Sequence, residues 1–319
     1  MPDAASAGFR ILAIDGGGIK GVFAASFLAE LETTLGEPLV DHFDLISGTS
    51  TGGIIALGLG MGLSAAEILS FYETHGPKIF SKGHLGFLRQ WTSAKYSSEP
   101  LKMALEEVFG ARLLGDSKTR LLIPSLNLET GEVHVFKTAH HERFIRDYKE
   151  KVVDVALATA AAPTFFPAHN LESGTPLIDG GVWANNPMGT AAVEALGVLE
   201  WPKGSIKLLG VGCTTAVTSA TGGRAHGRGK LYWATRVADT FMAGQSSASL
   251  GTAQLLLGRE NVHRVSPVVG ASMYKLDGVA GIKSLRGLGA SQARTEYPKV
   301  KEMFLTGKAE KFLPKGGRQ

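Results

Sequence analysis

The 319-residue chain has little of several features that mark common protein classes. It has a single cysteine, Cys213, which excludes a disulfide framework and a paired-cysteine metal site. Charged residues make up only 19% and the net charge is +4, a mild basic bias that suits an anionic membrane surface without requiring nucleic acid. The sequence shows neither internal repeats nor a Gly-X-Y period, which excludes solenoids and collagen.

Long hydrophobic runs are also missing. The longest apolar stretch, residues 52–63, is too short and too rich in glycine to cross a bilayer. The first ten residues contain neither the basic region nor the apolar region of a secretory signal. From these two observations we expect a cytoplasmic protein. No Pro- or Ser-rich linker divides the chain, so we also expect a single domain.

Glycine, in contrast, is abundant. The chain has 41 glycines, about 13% of its residues, against a usual level near 7%. With 44% hydrophobic residues the composition is that of a globular protein, so the extra glycine must serve a folded backbone. Short apolar runs that alternate with helical patterns predict an α/β fold with a largely parallel central sheet. Ligands of such sheets bind beyond the carboxyl ends of the strands, where three glycine clusters fall.

The first cluster is Asp15-Gly-Gly-Gly-Ile-Lys-Gly21, which follows a predicted strand. Its glycines satisfy the GxGxxG pattern of dinucleotide-binding proteins, and Asp41 lies at a suitable distance further on. However, the Asp15 carboxylate would lie beside the pyrophosphate. The alternative is a nest of backbone N–H groups at a helix N-terminus, which would bind an oxyanion.

The second cluster, Gly48-Thr-Ser-Thr-Gly52, fits the GxSxG pattern of a nucleophile elbow between a strand and a helix. Such a turn exposes the serine, here Ser50, at the start of a helix whose dipole favours developing negative charge. The third cluster, Asp179-Gly-Gly181, follows a short apolar run and could be no more than a turn. A nucleophilic serine needs a base, and an order of serine, aspartate and histidine would admit Asp179 with His226 or His263.

Taken together, the motifs DGGGIKG, GTSTGG and DGG resemble those of the patatin-like phospholipase family. Further similarities are residues 158–167 before the third motif and Asn185-Asn-Pro187 after it. The resemblance covers about residues 8–215. It implies a three-layer α/β/α fold formed by a single domain over residues 1–319, with a variable C-terminal part at 216–319.

The resemblance also implies roles for individual residues, without a histidine. Ser50 would be the nucleophile, Asp179 its base, and the amides of Gly16, Gly17 and Gly18 the oxyanion hole. Supporting positions are Lys20, Gly48, Thr51, Gly52 and Gly180. No metal or other cofactor is expected.

The implied function is that of a lipid acyl hydrolase that degrades membrane phospholipids through an acyl-enzyme. Two alternatives stay open: a constitutive lipase or esterase with a Ser-His-Asp triad, and a non-catalytic nucleotide-binding module. Compact bacterial members of the family resemble membrane-degrading effectors of anti-phage defence that a cyclic dinucleotide activates. We expect no nucleic-acid partner, and the sequence allows an oligomer.

The phospholipid substrate lies in the membrane, so we expect the enzyme to bind peripherally to the membrane surface when it is active. Residues 80–91 combine large apolar side chains with Lys82 and Arg89. They could form an interfacial flap that inserts Phe87, Leu88 and Trp91, or they could cap the core. The basic, glycine-rich residues 214–230 could be a solvated loop, a lid or an effector site.

Overall fold

The computed structural model describes residues 8–81, 94–216, 237–270 and 273–315. The predicted flap residues Phe87, Leu88 and Trp91, most of the basic loop, and His226 lie outside these ranges. The strands are β1 Phe9–Ile14, β2 Leu45–Gly48, β3 Arg120–Asn127, β4 Val133–Lys137, β5 His169–Asn170, β6 Pro176–Asp179, β7 Ile206–Val211, β8 Thr215–Ala216, β9 Val262–Val265 and β10 Val268–Val269. The α-helices are α1 Gly21–Leu35, α2 Thr51–Gly60, α3 Ala65–Ile79, α4 Glu99–Phe109, α5 Val152–Ala160, α6 Gly181–Ala184, α7 Met188–Gly197, α8 Val237–Leu257 and α9 Ile282–Phe304.

The central sheet runs in the order β5-β6-β3-β2-β1-β7-β9, and β4 also pairs with β3. Strands β3, β2, β1, β7 and β9 are parallel to one another, whereas β4 and β6 are antiparallel to β3. A second, two-stranded sheet joins β8 to β10. The prediction of a largely parallel central sheet is therefore confirmed.

Two hydrophobic cores lie on opposite faces of this sheet. Side chains alternate between the faces of a strand, so Leu12 and Ile14 of β1 enter one core and Ile11 and Ala13 the other. The first core contains the apolar side chains of α1–α5 and α9. The second contains those of α7 and α8. Helices on both faces give the predicted three-layer α/β/α arrangement.

The pairing of β3 explains how two distant parts of the chain meet. Strand β4 pairs with β3 from Leu122 to Leu126, which places both β2 and β6 on the opposite edge of β3. Because β2 is parallel to β3 and β6 is antiparallel, their carboxyl ends point toward each other. The end of β2 therefore faces Asp179, the last residue of β6, across the short gap between Leu122 and Ser125 of β3.

Candidate active site

Ser50 occupies the sharp turn between β2 and α2. Its φ of 56° is positive, a conformation that a residue with a Cβ adopts only where the surroundings hold it. The Ser50 amide donates a hydrogen bond to Thr159 Oγ1 at 3.1 Å, and Thr49 Oγ1 donates to the Ala184 carbonyl at 2.6 Å. These buried bonds fix the turn from both sides, as a nucleophile elbow requires.

Gly48 and Gly52, two of the predicted supporting residues, allow α2 to pack closely on the end of the central sheet. A Cβ on Gly52 would lie 2.7 Å from the carbonyl carbon of Ile14, and one on Gly48 would lie 2.8 Å from the Gly53 nitrogen. Thr51 Oγ1 donates to the Tyr72 hydroxyl at 2.6 Å, and that hydroxyl donates to the Thr51 carbonyl at 2.8 Å. The beginning of α2 is thus tied to α3.

Asp179 lies beside Ser50 with its carboxylate buried. Its Oδ1 accepts the Gly181 amide at 2.6 Å, and it also has a hydrogen-bonding interaction with the Ser50 side chain. The Asp179 amide donates to the Ala161 carbonyl at 3.0 Å, and Gly180 packs on the backbone of Pro124. Burial raises the pKa of Asp179 to about 6, against the opposing effect of the Ser50 and Gly181 hydrogen bonds.

The glycine loop after β1 lies on the other side of Ser50. Gly16 donates its amide to the Asn185 carbonyl at 2.9 Å, so this N–H is already occupied. Among the described residues we find no partner for the amides of Gly17 and Gly18, and both residues line the same cavity as Ser50. Lys20 does not line that cavity; its amide closes the turn on the Gly17 carbonyl at 3.2 Å.

An ion pair that the sequence did not reveal anchors this loop. Arg264 of β9 donates from Nη1 to Asp15 Oδ1 at 2.7 Å and from Nη2 to the other carboxylate oxygen. Its side chain passes the end of β7, where a Cβ on Gly210 or on Gly212, the residue after the strand, would lie only 3.2 or 3.0 Å from it. Burial raises the pKa of Asp15, and the Arg264 guanidinium opposes that rise.

We expect Arg264→Met to destabilise the protein by about 3–5 kcal/mol, because it leaves the buried Asp15 carboxylate unpaired. Asp15→Asn in the same chain should recover part of that loss. The matched control is Glu172→Gln, which breaks the exposed Lys151–Glu172 pair and should leave the urea midpoint close to that of the wild-type protein. Urea unfolding measures all three, and an Arg264→Met variant as stable as the control would contradict the buried role of the pair.

The serine, the aspartate and the free amides meet in one cavity of about 440 Å³. Most of its lining is apolar, and Asp179 is the one charged side chain among the described residues that line it. Val182 and Phe241 also line the cavity although their side chains are 47% and 71% exposed, so its rim is apolar too. The apolar wall includes Ile54, Phe71, Ile79, Phe80, Leu101, Phe165, Phe166, Met242 and Leu276.

No histidine lines this cavity in the part of the chain that the structure describes. His263, one of the two triad candidates, instead binds Glu296 through Nε2 at 2.9 Å. His140 binds Glu194 at 3.0 Å, and His169 binds Asp154 at 3.0 Å. Within residues 8–81, 94–216, 237–270 and 273–315 no group of acidic, histidine or cysteine side chains could hold a metal ion. In these same ranges we find no helix long and apolar enough to span a bilayer.

Comparison with known proteins identifies relatives of this chain. The chain is 40% identical to a cGAMP-activated phospholipase from Pseudomonas aeruginosa, over 75% of this chain and 73% of the relative. It is also 40% identical to a cGAMP-activated phospholipase from Vibrio cholerae, over 56% of this chain and 55% of that relative, about half its length. Among solved structures, VipD from Legionella pneumophila aligns with a TM-score of 0.45 and 13% identity, over 91% of this chain and 67% of VipD.

A family model described as patatin-like phospholipase matches residues 12–192, which contain all three glycine motifs. The matched residues run from β1 through the elbow and the end of β6 to α7. Arg264 lies beyond them. The chain therefore belongs to the patatin-like phospholipase family of esterases, which act on the ester bonds of lipids.

Proposed function

We propose that this chain hydrolyses the acyl esters of phospholipids with a Ser50–Asp179 dyad. One observation supports this above all: the Ser50 hydroxyl interacts with a buried carboxylate at the wall of an apolar cavity, and two glycines of that wall have amides without a partner among the described residues. The apolar lining suits an acyl chain, and Asp179 is the one carboxylate among the described lining residues that can accept the Ser50 proton.

The reaction follows from this geometry. Ser50 Oγ attacks the ester carbonyl carbon while its proton passes to Asp179, and the amides of Gly17 and Gly18 hold the oxyanion. Since Gly16 donates to Asn185, it supports the loop rather than the oxyanion. The Thr51 amide at the start of α2 is a third donor. Collapse of the intermediate transfers the proton from Asp179 to the leaving alcohol, and water then releases the fatty acid from Ser50 by the same steps.

The raised pKa of Asp179 gives this mechanism a pH dependence. Only the ionised carboxylate can accept the Ser50 proton, so kcat/KM should be high above pH 6 and fall about tenfold per pH unit below it. Hydrolysis of p-nitrophenyl butyrate from about pH 5 to pH 8 measures this, with the fold followed by circular dichroism. A midpoint near 3.8, the ordinary value of an aspartate, would contradict a buried base.

Phospholipid as the substrate is tested with vesicles of phosphatidylethanolamine and phosphatidylglycerol. The protein should release free fatty acid from them, and the Ser50→Ala protein in the same preparation should not. The apolar rim formed by Val182 and Phe241 supports peripheral contact with such a surface. Hydrolysis of p-nitrophenyl butyrate without any release from vesicles would limit the function to small esters.

Activation by a cyclic dinucleotide is part of the same proposal, because the two relatives at 40% identity are named for it. With such activation, the chain would be a membrane-degrading effector of antiviral defence. We expect cGAMP to raise fatty-acid release from the vesicles, whereas an equimolar mixture of GMP and AMP, the matched control, leaves it unchanged. Equal rates with cGAMP, cyclic di-GMP, cyclic di-AMP and the control would indicate a constitutive phospholipase.

A further inference from the structure

The oxyanion loop is covered by a segment that lies outside the residues matched by the family model. Residues 274–281, here called the strap, run past the loop after β10. The Leu276 carbonyl accepts the Ile19 amide at 2.8 Å, and a Cβ on Gly18 would lie 3.1 Å from the carbonyl carbon of Leu276. Leu276 also lines the cavity. The strap therefore touches the loop at the two residues that follow Gly17.

The next residue of the strap is held by two side chains from a different part of the chain. Asp277 Oδ2 accepts a hydrogen bond from Lys95 Nζ and another from the Tyr96 hydroxyl, the second at 2.8 Å. Burial raises the pKa of this carboxyl, but the hydrogen bonds from Lys95 and Tyr96 outweigh burial and hold it below its usual value. Asp277 is therefore a carboxylate, and both hydrogen bonds to its Oδ2 are charge-assisted, the one from Lys95 being also an ion pair.

Lys95 and Tyr96 are themselves fixed to residues of the cavity wall. Their amides donate to the carbonyls of Thr164 and Phe165 at 3.0 and 2.8 Å. The Tyr96 ring packs against Phe165 at 6.5 Å and against Phe166 at 5.8 Å between centroids. Since Thr164, Phe165 and Phe166 line the cavity, the Asp277 contacts connect this part of the cavity wall to the strap that touches the oxyanion loop.

We propose that Asp277 is a positioning residue that acts through Leu276. By tying the strap to Lys95 and Tyr96, it holds the Leu276 carbonyl on the Ile19 amide and thereby keeps the Gly17 and Gly18 amides directed at the forming oxyanion. This rests on the proposed function, because it assigns those amides to the oxyanion. Asp277 does not line the cavity, so its removal should affect the transition state more than substrate binding.

The test compares Asp277→Ala with the wild-type protein in hydrolysis of p-nitrophenyl butyrate. Because a displacement of about 1 Å can lower a rate about 100-fold, we expect kcat to fall about 10- to 100-fold with KM changed less than about twofold. Affinity for a trifluoromethyl ketone, whose adduct with Ser50 places an oxyanion at the two amides, should fall in proportion to kcat/KM. Tyr96→Phe, which removes one hydroxyl, should show a smaller loss of the same kind, and Asp277→Glu should recover part of kcat.

The matched control is Glu194→Gln. It breaks the Lys137–Glu194 pair, and the Lys137 side chain is 19% exposed, as is that of Lys95. Neither Lys137 nor Glu194 lines the cavity. The control should lower the melting temperature without lowering kcat. Wild-type kcat in Asp277→Ala, a loss confined to KM, or an equal loss of kcat in the control would overturn the inference while the proposed function stands. A wild-type protein that neither hydrolyses the ester nor binds the ketone would overturn both.

Discussion

Asp179→Asn is expected to lower kcat for p-nitrophenyl butyrate by about 10⁴-fold, and Ser50→Ala by at least as much. Removal of the base or the nucleophile of a serine hydrolase has effects of this size, because the two groups act as one unit. The double variant should therefore be no less active than Ser50→Ala alone. Steady-state kinetics on the purified proteins measure all three. Activity in Asp179→Asn within tenfold of wild type would mean that another group takes the Ser50 proton.

Stability separates lost chemistry from lost folding in this experiment. The folded-state pKa of Asp179 is raised from 3.8 to about 6, so the native state binds the proton more tightly than the unfolded chain does. Burying the charged form therefore destabilises the fold as pH rises through this window, by up to about 3 kcal/mol above pH 6. Asparagine carries no charge, so Asp179→Asn should melt no lower than wild type at pH 7.5. An inactive variant that melts higher would fit the account particularly well.

Gly18→Ala is the second change from which we expect a large effect. Gly18 has a φ of 56°, and a Cβ there would meet the Leu276 carbonyl, so the loop or the strap must move. Loss of one oxyanion donor in comparable sites lowers kcat about 10²- to 10³-fold, and we expect a loss in that range with little change in KM. Kinetics with p-nitrophenyl butyrate measure both constants.

Gly36→Ala provides the matched control for Gly18→Ala. Gly36 ends α1 with a φ of 78°, and a Cβ there would have no neighbour within 4 Å. Both variants carry the penalty of a left-handed alanine, about 1–2 kcal/mol, but only one disturbs the oxyanion loop. Equal kcat values for the two variants would show that the Gly17–Gly18 amides do not hold the oxyanion.

The local parts of the site could be predicted from the sequence because each rests on a few adjacent residues. An apolar run followed by glycines gives a buried strand and a tight turn, and the structure places β1 and the Ser50 turn where that pattern falls. The order of the three motifs was enough to identify the family, and the structure brings Ser50 and Asp179 together. Their catalytic roles stay predictions until the variants are measured.

The contacts that hold the site could not be predicted, because their partners are far apart in the chain. Arg264 lies 249 residues from Asp15, and Asp277 lies 182 residues from Lys95. No local pattern in the sequence marks either residue. The occupied Gly16 amide has the same cause, since its acceptor on Asn185 is set by the packing of α6 against the loop.

The abundant glycine therefore has at least two uses in the fold. Around Ser50 it allows α2 to pack closely on β1, and at Gly18 it allows the strap to touch the oxyanion loop. In β7, Gly210 makes room for the side chains of Met188 and Arg264. Each use lets backbone or a side chain pack where a Cβ would not fit.

Reaction with a fluorophosphonate probe tests the central claim most directly, because the probe phosphonylates only a serine that its surroundings activate. Peptide mapping by mass spectrometry identifies the labelled residue. We expect Ser50 to be labelled in the wild-type protein. Asp179→Asn should slow this labelling at least about 100-fold, and heat-denatured protein should not be labelled. A folded wild-type protein with Ser50 unlabelled, or labelled equally fast in Asp179→Asn, would contradict the Ser50–Asp179 dyad.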